Sequence, residues 1–168
     1  RPESELSNLL CDILVWGGRQ FNEQPVFSVY NMGGIRADFA KGDINVGDVS
    51  EVAPFENKIC FLTLTGEKVL ELFQQIAHRG GEGVSHAVRM VITRDGKLKG
   101  VTLNGEPVDP AKSYRIATLD YLAEGNDQLV AFKSGTDVVA PKTKENNVRY
   151  IIRNYFRKLK WRGKVVQS

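Results

Sequence analysis

Histidine and cysteine are scarce in this chain, with two of each in 168 residues. A binuclear metal centre of the hydrolytic kind draws on several Asp, His and Asn ligands, so two histidines leave too few. Neither His78 nor His86 stands at metal-ligand spacing. His78 closes a helical pattern beside Arg79 and Gly80, where the end of a helix favours it, and His86 stands at the start of a strand beside Ser85. Cys11 and Cys60 each lie in an apolar run, Leu9-Leu10-Cys11 and Ile59-Cys60-Phe61. There a small buried thiol is the natural reading, ahead of a ligand, a nucleophile or a disulfide partner. No G-x-S-x-G, phosphate-binding P-loop or clustered Cys/His signature offers other hydrolytic machinery. No apolar run approaches the roughly 18 residues of a membrane helix, and no charged-then-apolar leader is present. The chain opens at Arg1 without methionine, as a trimmed polypeptide would, so a missing leader carries no message about location.

What is present suits a single domain over residues 1–168, long enough to bury a core without disulfides or structural metal. The hydrophobic and charged fractions, 42% and 26%, are those of an ordinary globular protein. The net charge of +3 is unevenly spread. From Lys142 onward lie nine of the 23 bases and a single acid, Glu145, so the body of the chain is acidic. In that tail Val148, Ile151, Ile152, Tyr155, Phe156 and Leu159 recur at helical spacing, while Arg149, Arg153 and Arg157 form a second stripe. A docking helix with a solvated cationic face explains these letters better than a nucleic-acid surface does.

Hydrophobic periodicity predicts a mixed α/β (α+β) domain. Glu3 to Trp16 reads as a helix carrying Leu6, Leu9, Leu10, Ile13 and Leu14 on one side, ended by Gly17-Gly18. Val26 to Tyr30 reads as a short strand, and Val49 to Leu64 is apolar enough to cross the core. Gly66 to His78 is a second amphipathic helix with Thr65 as its N-cap. Ala87–Thr93, Lys97–Leu103 and Tyr114–Leu119, punctuated by Asp95-Gly96 and Asn104-Gly105, form a plausible antiparallel meander.

The segment most informative about function is N-M-G-G-I-R at 31–36, directly after the strand that ends at Tyr30. Gly33 and Gly34 accept backbone angles closed to other residues and let a ligand approach their N–H groups. Arg36 supplies a guanidinium fork suited to phosphate or carboxylate, and Asn31 an amide that donates and accepts. The hexapeptide alone fits a tight turn with a solvated arginine at least as well. Phe55, after Pro54, and Tyr121, which opens Y-L-A-E-G-N-D, stand at the ends of predicted strands beside turn residues. Two such rings facing each other would clamp a planar base, at about 1–3 kcal/mol per stacked base. Asp127 follows closely, and a carboxylate there accepts hydrogen bonds from ribose hydroxyls as acids do in other nucleotide sites.

N-M-G-G-I-R-A-D, G-D-V followed by P-F-x-N, L-T-G before a helix, N-G-E-P-V-D-P-x-K-x-Y-R-I-A-T, and Y-L-A-x-G-x-D occur here in that order. Together they resemble the C-terminal domain of the metallophosphatase-type 5'-nucleotidases over nearly the whole chain. The resemblance implies a sandwich of mixed sheets and helices that holds the nucleoside part of a nucleotide. It also implies a separate N-terminal domain, with two divalent metals, that hydrolyses the phosphate ester. Asn31 and Arg36 would then contact the nucleotide near its ribose and phosphate, beside Gly33 and Gly34. Phe55 and Tyr121 would stack on either side of the base, and Asp127 would hydrogen-bond the ribose. Arg1 is the candidate for the arginine that family members place shortly before the first helix. The chain departs from the pattern at Met32, at Glu56 and in E-G-N-D-Q at 124–128, where glycines are usual, which implies a stiffer and bulkier site.

On this reading the chain is the substrate-recognition half of a nucleotidase-like hydrolase. It holds no metal or cofactor of its own and does not hydrolyse nucleotides alone. Its partners are a nucleotide or nucleoside and a metallophosphatase domain upstream or in a separate chain, with no nucleic acid and no transmembrane segment. The resemblance further implies export, to the periplasm or the cell surface. The alternative is a stand-alone binding module for nucleosides or another ring-bearing ligand. A nucleic-acid binder would differ from both in losing affinity steeply with salt.

Overall fold

The computed structural model of the protein describes residues 2–30, 57–79 and 83–167. Among these lie helices α1 (Pro2–Gly17), α2 (Gly66–His78), α3 (Asp120–Ala123) and α4 (Val148–Gln167). The strands are β1 (Phe27–Tyr30), β2 (Ile59–Thr65), β3 (Gly83–Val84), β4 (Val88–Ile92), β5 (Leu98–Leu103), β6 (Glu106–Pro107), β7 (Ser113–Leu119) and β8 (Thr136–Val139). The amphipathic patterns of the first two helices fall where the sequence predicts them. Thr65 caps α2 by accepting the Lys68 N–H at 3.3 Å.

The strands form a five-stranded mixed sheet in the order β3-β1-β7-β2-β8 and a separate antiparallel meander β4-β5-β6. Tyr114–Leu119, expected as the meander's third strand, is instead the middle of the larger sheet. It runs parallel to β1, with Phe27 opposite Ile116, and antiparallel to β2 through seven register pairs from Ile59–Leu119 to Thr65–Ser113. Its place in the meander is taken by the two-residue β6, which pairs with β5 after the Asn104-Gly105 turn. Both turn residues have positive φ, 52° and 83°, as a tight hairpin of this kind requires.

The sheet is covered on both faces. Successive residues of a strand point to opposite sides, and in β1 the Phe27 ring packs 5.1 Å from that of Phe73 on α2 while the neighbouring Ser28 hydroxyl donates to the Cys11 carbonyl of α1 at 2.6 Å. All four residues of β1 are therefore buried, as are the last four of β7. Helix α4 lies against α1: Val148, Ile151 and Ile152 are fully buried, Trp16 meets Tyr155 at 5.3 Å, and the Lys158 ammonium sits 5.2 Å above the Trp16 ring. Of the cationic stripe expected from the spacing, Arg153 and Arg157 are exposed, whereas Arg149 is partly buried.

Two of the sequence motifs meet in a purely structural contact. Gly66, from L-T-G, packs against the Asp109-Pro110 backbone of V-D-P so closely that a Cβ would lie 1.9 Å from the Asp109 carbonyl oxygen. The Gly66 N–H also donates to the Lys112 carbonyl at 2.7 Å. Asp109 shapes the approaching turn by accepting from the Ala111 N–H at 2.9 Å. The glycine thus lets α2 start directly beneath the turn that feeds β7.

A half-buried ion pair ties the far end of the sheet. Arg115 of β7 donates through Nε and Nη2 to the two carboxylate oxygens of Glu23, both at 2.8 Å, and through Nη1 to Thr63 Oγ1 at 3.0 Å and to the Asp137 carbonyl at 2.6 Å. One guanidinium thereby joins the segment before β1 to β7, β2 and the exposed edge strand β8. The adjoining carboxylate holds the guanidinium pKa above its ordinary value, chiefly through this bidentate hydrogen bond.

Candidate functional site

Sheet register brings three chain ends to one edge. Because β1 and β7 are parallel and β2 is antiparallel to β7, the last residue of β1 (Tyr30), the first of β2 (Ile59) and the last of β7 (Leu119) lie at the same end. Each leads directly into a segment singled out in the sequence: Asn31–Arg36 follows Tyr30, Phe55 precedes Ile59 by four residues, and Tyr121 follows Leu119 by two. The carboxyl ends of parallel strands are where open α/β sheets take their ligands. Of the candidate residues, Tyr121 and Asp127 are described. Asn31, Gly33, Gly34, Arg36, Phe55 and Arg1 lie outside the described residues, as do Met32 and Glu56.

Tyr121 and Asp127 are brought together. The Tyr121 hydroxyl donates to Asp127 Oδ1 at 3.2 Å, and the residue is 42% exposed, so it stays accessible while its phenol is held. Nearby negative charge disfavours a phenolate. The Asp127 carboxylate, by its charge and then by the hydrogen bond, pushes the Tyr121 phenol above its usual range, and Arg79 at the end of α2 opposes that shift.

The loop between them is held in an uncommon backbone shape. Gly125, Asp127 and Gln128 have φ of 91°, 58° and 65°. Left-handed geometry suits the glycine and is tolerated by Asp, whereas Gln128 occupies it at a cost of about 1–2 kcal/mol. Asn126 turns its side chain inward, donating to the Tyr121 carbonyl at 2.7 Å and, more weakly, to Glu124 at 3.4 Å. At Asn126, where a glycine was expected from the resemblance, a side-chain bond thus replaces backbone freedom.

The two sides of the edge are joined by residues that sequence reading did not single out. Asp120 Oδ1 accepts from the Tyr121 N–H at 2.9 Å, the Lys58 N–H at 3.3 Å and the Asn57 side-chain amide at 3.4 Å. The Asn57 carbonyl in turn accepts the first N–H of α4, from Val148, at 3.0 Å. Beneath them Cys60 is buried, and burial, followed by the charge of Asp120, pushes its thiol up to about 11. Asn57 lies inside the P-F-x-N motif and Asp120 directly before Y-L-A-x-G-x-D, so proximity to the motifs was the available signal.

Both histidines are exposed and remote from Tyr121 in the chain. His78 is in the last turn of α2, and His86 contacts the Asp12 carboxylate of α1 through its backbone N–H at 2.8 Å and through Nδ1. Among the described residues no three His, Cys, Asp or Glu side chains converge as metal ligands. What the described residues do assemble at this strand end is a partly exposed tyrosine, a carboxylate hydrogen-bonded to it and a braced fork of two strands. No described helix is long and apolar enough to cross a membrane.

Residues 1–134 match the family described as "5'-nucleotidase, C-terminal domain". Protein UshA of Escherichia coli (strain K12) is 38% identical over 104 residues, covering 60% of this chain and 19% of that protein. A 5'-nucleotidase of Vibrio cholerae is 30% identical over 105 residues, with the same coverages. The chain thus spans about a fifth of the length of these relatives. In fold it is similar to a 5'-nucleotidase precursor from Thermus thermophilus, with a TM-score of 0.71 at 23% identity, over 92% of this chain and 32% of that one. Its two sheets and flanking helices are that architecture, and the chain belongs to the 5'-nucleotidase C-terminal domain family.

Proposed function

We propose that residues 1–168 form one domain, the nucleotide-recognition half of a 5'-nucleotidase-like hydrolase, and that it binds the base and ribose of a nucleotide whose phosphate ester is cleaved on a separate metallophosphatase domain. The observation that carries this reading is the convergence of three strand ends beside the half-exposed Tyr121 ring and the carboxylate of Asp127. Family membership supports the substrate class, and the short span relative to the curated relatives supports a further domain.

In this reading Tyr121 and Phe55 stack on the base, Asp127 accepts the ribose hydroxyls, and Asn31, Arg36, Gly33 and Gly34 hold the ribose and phosphate side, with Arg1 at its margin. The chain's contribution to rate is orientation, since holding a reactant in position removes entropy from the barrier. Divalent metals belong to the partner domain. Membership in the family also supports an exported, periplasmic or cell-surface location.

Calorimetric titration of the chain with adenosine, AMP and an unrelated aromatic glycoside tests the proposal, repeated for Tyr121→Ala and Phe55→Ala. Nucleoside binding lost in both variants is the expected result. Equal affinity for the glycoside, or nucleoside binding indifferent to both rings, would overturn it.

A further inference from the structure

We propose that Asp120 is the positioning residue of this site, a carboxylate that sets where the Tyr121 backbone leaves the sheet by holding it and the Asn57-Lys58 pair of the facing chain to one oxygen; the inference rests on the recognition reading above. The Asp120 N–H donates to the Lys58 carbonyl at 2.9 Å, carrying the β2–β7 ladder one step beyond its last register pair, Ile59–Leu119. From there the two chains part, one at Asn57 and the other into α3. At that fork a single oxygen, Asp120 Oδ1, takes three donors from the two sides: the Tyr121 N–H, the Lys58 N–H and the Asn57 amide.

A four-residue helix has little need of such a node for its own sake. What the node fixes is the angle at which the strands part. Asn57 is braced from behind, because its carbonyl accepts the Val148 N–H at the start of α4 and Asn147 bridges Lys58. A pull on one side of the fork is therefore transmitted through Asp120 to the other, where Tyr121 is already tethered at its hydroxyl by Asp127. Hydrogen bonds to an ionised acceptor are stronger than neutral ones, which suits a carboxylate to this duty. Displacement of a positioning group by an ångström is enough to cost on the order of a hundredfold in a site that depends on geometry.

Two measurements on Asp120→Ala, Asp120→Asn and the unaltered chain test the proposal. The first needs no ligand: the titration of Tyr121, followed by NMR of tyrosine labelled at the ring carbon, reports whether the phenol still meets Asp127. In Asp120→Ala the Tyr121 titration should fall back toward the ordinary phenol range. In Asp120→Asn it should stay raised, because the amide oxygen keeps the acceptor role. The second is adenosine affinity, expected to drop roughly tenfold or more in Asp120→Ala and to be largely restored in Asp120→Asn.

An unmoved Tyr121 titration in a folded Asp120→Ala chain would overturn positioning by Asp120, as would an Asp120→Asn variant as impaired as the alanine. If Asp120→Ala does not fold, Asn57→Ala removes one of the three donors and should move Tyr121 in the same direction by less; no movement would overturn the inference. An unaltered chain that ignores adenosine while Tyr121 responds to Asp120 would refute nucleoside recognition and leave the positioning role standing.

Discussion

Replacing Arg115 by methionine should be among the most costly single changes outside the apolar core, and the structure sets the size. Four contacts of 2.6–3.0 Å disappear together, and the Glu23 carboxylate that two of them satisfied has a side chain only 13% exposed. Removing one partner of a buried pair costs about 3–5 kcal/mol because the other charge is left uncompensated. Residual solvent contact at Arg115, whose side chain is 20% exposed, brings the expectation to about 3 kcal/mol. For a chain of this length that is a fall in melting temperature of roughly 6–12 °C. Glu23→Gln, which keeps the shape and one acceptor, should cost about half as much. The double variant Arg115→Met/Glu23→Leu should recover at least about 1 kcal/mol relative to the sum of the single changes, because no orphaned charge remains. Urea denaturation at pH 7, with circular dichroism as the signal, measures all four proteins. Hydrogen exchange adds a local reading: the backbone of Thr136–Val139 should lose protection first, since Asp137 is held by the same guanidinium. A methionine variant within 1 kcal/mol of the unaltered chain, or costs that simply add in the double variant, would refute the argument.

Gly66→Ala should destabilise by about 3 kcal/mol or more, because its Cβ would meet the Asp109 carbonyl at 1.9 Å and only backbone movement relieves it; a thermal melt within 2 °C of the parent would contradict this. Gln128→Gly should raise stability by about 0.5–1 kcal/mol, the relief of a left-handed side chain less the added freedom of the unfolded chain, and a loss in urea denaturation would count against the strain assigned to φ 65°. Cys60 supplies a pH signature. Burial, and then the charge of Asp120, pushes its thiol from an ordinary 9.0 up to about 11, so the folded state favours the protonated form. The associated stability is complete below about pH 9 and is lost as pH rises through 11, an increment of roughly 2–3 kcal/mol. Denaturation between pH 8 and 11 should therefore fall more steeply for the parent than for Cys60→Ala, and identical slopes would refute the assignment.

Much of the fold is legible in the sequence because helices announce themselves locally. Helices α1 and α2 follow from apolar spacing with, respectively, the Gly17-Gly18 pair and Thr65, signals carried within or directly beside each helix. The misassigned strand shows where local reading stops. Tyr114–Leu119 follows the Asn104-Gly105 hairpin and so invites a third meander strand. Its apolar run Ile116-Ala117-Thr118-Leu119 is instead that of a strand buried on both faces, unlike the alternating β4, in which Arg89 and Val91 face outward. Strand β8, Thr-Asp-Val-Val at an exposed edge, carries too little pattern to be seen. The Arg115–Glu23 pair joins residues 92 apart and has no local trace. At the site, Tyr121 and Asp127 were found through a motif that sets them six residues apart, and the structure closes that gap with a hydrogen bond. Asp120 and Asn57 escaped notice because their role is defined by each other across 63 residues.

The central position of β7 has a consequence for how the polypeptide is made. Strand β1 is buried on both sides and finds its central partner only when residues 113–119 have been synthesised. At about 5–20 residues per second, the stretch from Tyr30 to Ser113 takes roughly 4–17 s to translate. For that interval Phe27 and Val29 emerge with their β7 partner still unmade. The nascent chain thus offers a timed window in which a ribosome-associated chaperone competes with aggregation for an unpaired hydrophobic strand.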